Sequence, residues 1–272
     1  MDPSDILLTD RVAIVTGAGQ GIGEGIAKGF ARFGARVVVA EKNAETGEAT
    51  AAAIRAAGGE ALSITTDVRD FEQVKAMVDQ SVRHFGRLDI LVNNVGGVRY
   101  AKFLDLGQKG WGTHQRLNFD GLFGPTDAAV RAMIAGGRGG VVLNIASIEA
   151  LRAAPMFSVY AACKAGMVNF TRSLALELAD EGIRVNAIAP DIVDTPHLRE
   201  FEGSATGGTR EARERGIPLR RPGTVDDCAN ACIFLASEMA SYITGVTLSV
   251  DGGTFASSGW TRNEDGSWGL FH

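Results

Sequence analysis

The chain has 272 residues, 45% of them hydrophobic, with 35 glycines, few aromatics and a formal net charge of −5. That length fits one large α/β domain, and the glycine content favours tight turns and close helix–sheet packing over a β-sandwich. The acidic balance, with no basic cluster interleaved with aromatic residues, excludes broad electrostatic binding of nucleic acid or of an anionic membrane surface.

Taken in chain order, the opening MDPSDILLTDR carries acids where a secretory signal needs a basic region and an apolar core. RVAIVTG (11–17) is a short β-branched strand, followed by a glycine-rich turn and the helical pattern GIGEGIAKGFARFG. ARVVVAE (35–41) reads as a second strand, residues 43–59 as an Ala-rich helix closed by glycine, and EALSITTDV (60–68) as a third strand. A helix over 70–86 follows, with Asp70 as its N-cap, then the strand LDILVNN (88–94). A long helix is predicted over 110–137, a strand over 140–147, a long helix over 157–182 and a strand over 183–190. A helix over 224–237 and a strand over 245–253 complete the alternation. Seven strands interleaved with helices predict a doubly wound parallel sheet with helices on both faces, a Rossmann fold, as one domain over 1–272. Residues 197–222, rich in Gly, Arg and Glu, read as a substrate loop, and 254–272 as a polar tail carrying two tryptophans. No apolar run approaches the ~20 residues of a membrane span.

The three cysteines, Cys163, Cys228 and Cys232, predict reduced thiols in a cytoplasmic protein. Cys228 and Cys232 lie one helical turn apart with no second pair of ligands nearby, so they read as helix core, and no metal site is expected.

TGAGQGIG (16–23) places Gly17, Gly21 and Gly23 between the first strand and the first helix. Glycines there let the backbone turn tightly and approach a pyrophosphate, while the helix start offers free N–H groups. Glu41, at the end of the second strand, is the acid expected to accept from both ribose hydroxyls and repel a 2′-phosphate. It favours NAD over NADP, and neutral Gln20 agrees; Lys42 next door leaves NADP possible.

These motifs resemble the short-chain dehydrogenase/reductase family, classical type, over nearly the whole chain. TGAGQGIG is similar to its T-G-x-x-x-G-x-G turn, NNVG (93–96) to its N-N-A-G, and APDIVDTP (189–196) to its P-G-x-V-x-T. Val95 and Asp191 depart from that pattern. The resemblance implies that Gly17, Gln20, Gly21, Ile22, Gly23, Glu41, Asp67, Val68, Asn94, Tyr160, Lys164, Pro190, Val193 and Thr195 hold the nucleotide, with the Asp67–Val68 pair at the adenine. It also implies catalysis by Asn118, Ser147, Tyr160 and Lys164, Ser147 standing thirteen residues before Tyr160. A homotetramer joined through the two long helices is implied as well.

The chemistry of the residues agrees. Hydride transfer to a carbonyl leaves negative charge on oxygen, which needs a proton donor and hydrogen-bond support. Tyr160 supplies the proton, and Lys164, one turn away on the same helix, is expected to lower the tyrosine's ordinary pKa near 10. Ser147 is placed to hold the substrate oxygen, and by resemblance Asn118 positions a proton-relay water. The expected reaction is hydride transfer between NAD(H) and a secondary alcohol or ketone. An NADPH-dependent 3-oxoacyl-thioester reductase and a non-catalytic nucleotide-binding scaffold are the alternatives.

Gly97, Val98, Arg99, Tyr100, Glu149, Ala150, Asp191 and the 197–222 segment are expected around the substrate. Glu149 reads either as a partner for a substrate hydroxyl or as a solvated acid, and Arg220 and Arg221 either as partners for an acidic substrate or as solvent-facing. NNVGG is similar to some cis-dihydrodiol dehydrogenases and SIEA to some hydroxysteroid dehydrogenases. The aromatic tail has no placement in the alternation of elements and is a candidate to reach a neighbouring subunit's pocket.

Overall fold

The computed structural model describes residues 2–196, 198, 210–263 and 265–270. Seven strands form one parallel sheet: β1 (Val12–Thr16), β2 (Arg36–Glu41), β3 (Ala61–Thr65), β4 (Ile90–Asn93), β5 (Gly140–Ile145), β6 (Ile183–Pro190) and β7 (Thr247–Val250). Their order, β3-β2-β1-β4-β5-β6-β7, reverses direction between β1 and β4. This is the doubly wound arrangement, and it opens a crevice beyond the C-terminal ends of β1 and β4.

Both faces of the sheet are covered, which is why its strands read as continuous apolar runs. Ala13, Val15, Val37 and Val39 pack with α1 (Gly21–Arg32) and the helix Val225–Ala236. Val12, Ile14 and Val38 face the other way, against Val74 and Met77 of α3 (Phe71–Phe85) and Ala129 and Met133 of α5 (Gly121–Gly136). Cys228 and Cys232 sit inside the first of these cores, where burial pushes both thiols up.

Three helix starts are closed by side chains. Asn43 caps α2 (Ala44–Ala56), Asp70 caps α3, and Thr224 with Asp227 forms a capping box on Val225–Ala236. Arg221 holds Asp227 through two contacts of 2.7 and 3.0 Å, so it braces that cap.

A buried polar ladder ties the long helices to the sheet. Asn93 on β4 donates to Asn144 on β5 and to Thr126 on α5, both at 3.0 Å. Asn144 in turn donates at 2.8 Å to Thr171 on α6 (Ser158–Glu177).

Several boundaries differ from the sequence expectation. The helix predicted over 110–137 begins earlier, as α4 (Phe103–Gln115), bends at Gly107 (φ 62°), passes through a π-helical turn (Arg116–Asp120) and continues as α5. Glycines 107, 110 and 112 hide that first segment from propensity. The helix predicted to 182 stops at Glu177, and the third strand ends at Thr65 rather than 68. The predicted 197–222 loop lies partly outside the described residues; its described part includes α7 (Arg210–Gly216), and the helix Val225–Ala236 is α8. The tail forms one helical turn, α9 (Thr254–Ser257), and a hairpin of β8 (Thr261–Arg262) and β9 (Trp268–Gly269), with the Arg262 guanidinium 4.5 Å from the Trp268 ring centre. Among the described residues no helix is long and apolar enough to cross a membrane.

Candidate active site

The crevice begins with the glycine turn after β1. Gly17 and Gly21 both have φ of +62°, in the left-handed region that favours glycine. A Cβ at Gly23 would fall 2.3 Å from the Gly17 carbonyl oxygen, so close approach fixes that glycine too. Gly19, which the motif reading passed over, is crowded by side chains instead: its Cβ would lie 2.7 Å from Cγ of Glu41. Gln20 precedes α1 without a side-chain cap, in contrast to α2, α3 and α8. The first N–H groups of α1, those of Gly21, Ile22 and Gly23, therefore have no capping side chain and meet the requirement of a pyrophosphate.

Glu41 reaches back to this turn, accepting from Gly19 N at 3.1 Å and from Asn43 N at 3.0 Å. Lys42 does not stand free beside it, because its ammonium is 3.0 Å from Asp67. Arg69 grips the same carboxylate at 2.8 and 2.6 Å, and this holds the Asp67 carboxyl well below the usual range. Val68 next to it is buried. Asn94 donates to the Thr16 and Gly17 carbonyls at 3.0 and 3.1 Å, locking the end of β4 to the turn. Beyond β6, Pro190 ends the strand, Val193 bridges to Gly223, and Thr195 lies 3.5 Å from a Cβ built on Gly21. The predicted nucleotide residues thus line one crevice at the strand tips.

The reacting end lies beside it. Ser147 follows β5, is buried, and caps a short 3-10 turn (Ile148–Ala150) by accepting from Glu149 N at 3.2 Å. Its hydroxyl lies close enough to the Tyr160 phenol, on the first turns of α6, to pull that group's pKa down. Lys164 is buried one turn on, donates to the Ile145 carbonyl at 2.7 Å, and sits 5.8 Å from the centre of the Tyr160 ring. Asn118 occupies the π-helical turn, where the loosened ladder lets its amide donate to the His114 carbonyl at 3.1 Å and to Gly97 O at 2.9 Å. Its Oδ1 accepts from Gly97 N at 3.0 Å. A Cβ at Gly96 would fall 3.0 Å from Asn118 Oδ1 and 3.3 Å from Lys164 Nζ, so the two side chains flank that glycine. Asn118, Ser147, Tyr160 and Lys164 are brought together.

The expected lowering of the Tyr160 pKa is not what the structure shows. Burial pushes the phenol up to about 12; the nearby Ser147 hydroxyl pulls against this and the Glu149 charge adds to it. Lys164 is itself pushed down to about 8 by burial, and it spends its short hydrogen bond on a backbone carbonyl rather than on the phenol. Desolvation therefore outweighs the neighbouring cation.

Two further residues escaped the motif reading. His114 is buried, with its ring centre 6.5 Å from that of Tyr160, and burial followed by the Arg99 charge lowers its pKa. Arg152 pairs with Glu149 at 2.7 Å and approaches Asp191 at 3.7 Å. Glu149 is thus an ion-paired residue rather than a freely solvated acid. Arg152 had no motif to mark it.

A family profile described as enoyl-(acyl carrier protein) reductase matches residues 17–254. The 3-oxoacyl-[acyl-carrier-protein] reductase FabG of Chlamydia trachomatis is 38% identical over 248 residues, 91% of this chain and 98% of that protein. L-rhamnose 1-dehydrogenase (NAD(P)(+)) of Azotobacter vinelandii is 38% identical over 254 residues, 92% of this chain and 98% of its own length. Among solved structures, 7α-hydroxysteroid dehydrogenase in complex with NADH and 7-oxo glycochenodeoxycholic acid superposes with a TM-score of 0.87 at 34% identity, covering 93% of this chain and 97% of that one.

Proposed function

The chain belongs to the short-chain dehydrogenase/reductase family, and on that premise we propose that it is an NAD(H)-dependent oxidoreductase interconverting a secondary alcohol and its ketone. The observation that carries the assignment is Tyr160 close to the Ser147 hydroxyl, with Lys164 one helical turn away, and an uncapped glycine turn on the same side of the sheet. When bound, the nicotinamide supplies or accepts the hydride at the carbinol carbon.

The remaining chemistry belongs to the chain. The Tyr160 phenol, held protonated at neutral pH by burial, donates its proton to the substrate oxygen in reduction and takes it back in oxidation. Ser147 holds that oxygen and orients the phenol. The Lys164 ammonium stabilises the negative charge left on the phenol once it has given its proton away in reduction, and Asn118, by fixing Gly97 and the π turn, sets the wall that faces it. Gly17, Gln20, Gly21, Ile22 and Gly23 would hold the pyrophosphate, and Glu41 the adenosine ribose. Asp67 and Val68 would border the adenine, and Asn94, Pro190, Val193 and Thr195 the nicotinamide end.

NAD rather than NADP follows from charge. Glu41 carries a carboxylate where a 2′-phosphate would sit, and the adjacent Lys42 is already engaged by Asp67. The family resemblance and three free thiols favour a cytoplasmic homotetramer built through α5 and α6. The test of the assignment is Tyr160→Phe. Turnover should fall by about 10²–10⁴-fold with NADH affinity kept. Retained turnover would place the proton donor elsewhere.

A further inference from the structure

Past the tip of β6 the chain carries an acid where the family pattern has glycine. β5 and β6 are neighbours, with Ile145 paired to Ile188, and neighbouring strands run about 5 Å apart. Asp191 leaves β6 near the turn that Ser147 caps after β5, and Arg152 reaches both Glu149 of that turn and Asp191.

Its surroundings are an ionic cluster in which the donors are already assigned. Arg152 gives its close contact to Glu149 at 2.7 Å and lies 3.7 Å from Oδ1 of Asp191. Both oxygens of Asp251 accept backbone N–H groups, from Gly253 at 3.0 Å and from Phe255 at 2.7 Å. The Thr254 hydroxyl is near Asp191, yet its proton goes to the Asp251 carbonyl at 2.8 Å. Among the described residues Oδ2 of Asp191 has no hydrogen-bond partner, and it is buried on a side chain that is only 10% exposed. A buried carboxylate oxygen without a donor is costly, and such a group is retained where something else supplies the donor.

Resting on the hydride-transfer assignment above, we propose that Asp191 is a specificity-determining residue of the substrate pocket, where it accepts a hydrogen bond from a second, neutral hydroxyl borne next to the one that reacts. The substrate class is then a vicinal diol or the matching hydroxyketone, not a simple apolar alcohol. Oδ2 is shut off from bulk water in this conformation, so the donor has to be carried into the pocket. Rotation about the soft terminal torsion of the carboxyl group lets either oxygen meet it. A neutral donor is favoured over an ammonium because the Arg152 guanidinium already faces the same carboxylate. Burial, ahead of the opposing pull of Arg152 and Thr254, raises this carboxyl to about 6, as expected for an acid short of donors.

The test compares kcat/KM with NAD⁺ for matched pairs: 2,3-butanediol against 2-butanol, cyclohexane-1,2-diol against cyclohexanol, and 1-phenylethane-1,2-diol against 1-phenylethanol. The wild-type enzyme should prefer the diol of a pair by about 10- to 100-fold, the range of one hydrogen bond to a charged group. In Asp191→Ala the ratio should fall towards unity, and in Asp191→Asn, which keeps an acceptor oxygen, it should fall less. NADH affinity and a melting curve on each variant show that the nucleotide site still folds. Equal use of diol and monoalcohol by the wild type, or a ratio unmoved in Asp191→Ala, overturns the inference while leaving the hydride-transfer assignment standing. A preference for 2-aminocyclohexanol over the diol also overturns it, in favour of a cationic substrate. Turnover of none of the alcohols overturns both.

Discussion

At the tip of β2, Glu41 gives both carboxylate oxygens to backbone N–H groups of its own chain. Past the tip of β6, Asp191 keeps one oxygen buried and unmatched. The two regions lie on one sheet and differ in how completely they are finished. The nucleotide side is closed by its own backbone: glycines at fixed φ, Asn94 stitched to the turn, Asp67 gripped by Arg69 and Lys42. The substrate side carries groups moved off their ordinary pKa values by burial, namely Tyr160 to about 12, Lys164 to about 8 and Asp191 to about 6. A preorganised frame on one side and unsatisfied polar groups on the other is what hydride transfer needs: a fixed nucleotide and a reactive pocket.

The largest expected effect is on the reactive side. Ser147→Ala removes the proposed substrate-oxygen contact and the hydroxyl that pulls the phenol pKa down, and turnover should fall by about 10²–10³-fold. Because the phenol is held up near 12, alcohol oxidation should speed up with pH across the neutral to alkaline range, and the variant should displace that rise to higher pH. A pH profile of NADH formation checks both statements.

On the nucleotide side, Glu41→Ala should weaken NADH binding by roughly 10-fold and shrink the discrimination against NADPH, as read by fluorescence titration. An unchanged preference would move selection to another residue.

The ladder beneath both regions comes next. Asn144 is fully buried between Asn93 and Thr171, so Asn144→Ala should cost about 1–3 kcal/mol by leaving their polar groups unmatched. Urea unfolding measures this. A loss below ~0.5 kcal/mol would show that the ladder contributes little.

One effect reverses the usual sign and vanishes at low pH. Asp191 is raised in the folded chain from an ordinary 3.8 to about 6. The folded state then binds the proton more tightly than the unfolded one, so this group costs nothing below pH ~4, and its cost grows to a plateau above pH ~6. Asp191→Asn should therefore stabilise the protein by up to about 3 kcal/mol at pH 7.5 and by little at pH 4. A melting difference that ignored pH would mean the carboxyl is not buried as described.

Much of this was legible in the residues. All seven strands could be read because burial on both faces makes them continuous apolar runs, and the glycine turn, Glu41 and the Ser147–Tyr160–Lys164 spacing sit at fixed distances along the chain. What escaped depends on contacts between distant segments. The start of α4 at Phe103 is hidden by three glycines that tertiary packing tolerates. The π turn under Asn118 has no sequence signature, and the balance between burial and Lys164 at Tyr160 is decided by where the ammonium points. Asp191 stood out as a departure from the family pattern. That its Oδ2 lacks a donor follows only from seeing where Arg152, Thr254 and Asp251 spend theirs.

The most direct measurement of the central claim is a titration of the purified protein with NADH and with NADPH, followed by fluorescence and thermal shift. NADH should bind at least about 10-fold more tightly than NADPH if Glu41 meets the ribose as proposed, with Lys42 tied to Asp67. Tighter NADPH binding, or binding of neither nucleotide, would contradict the account.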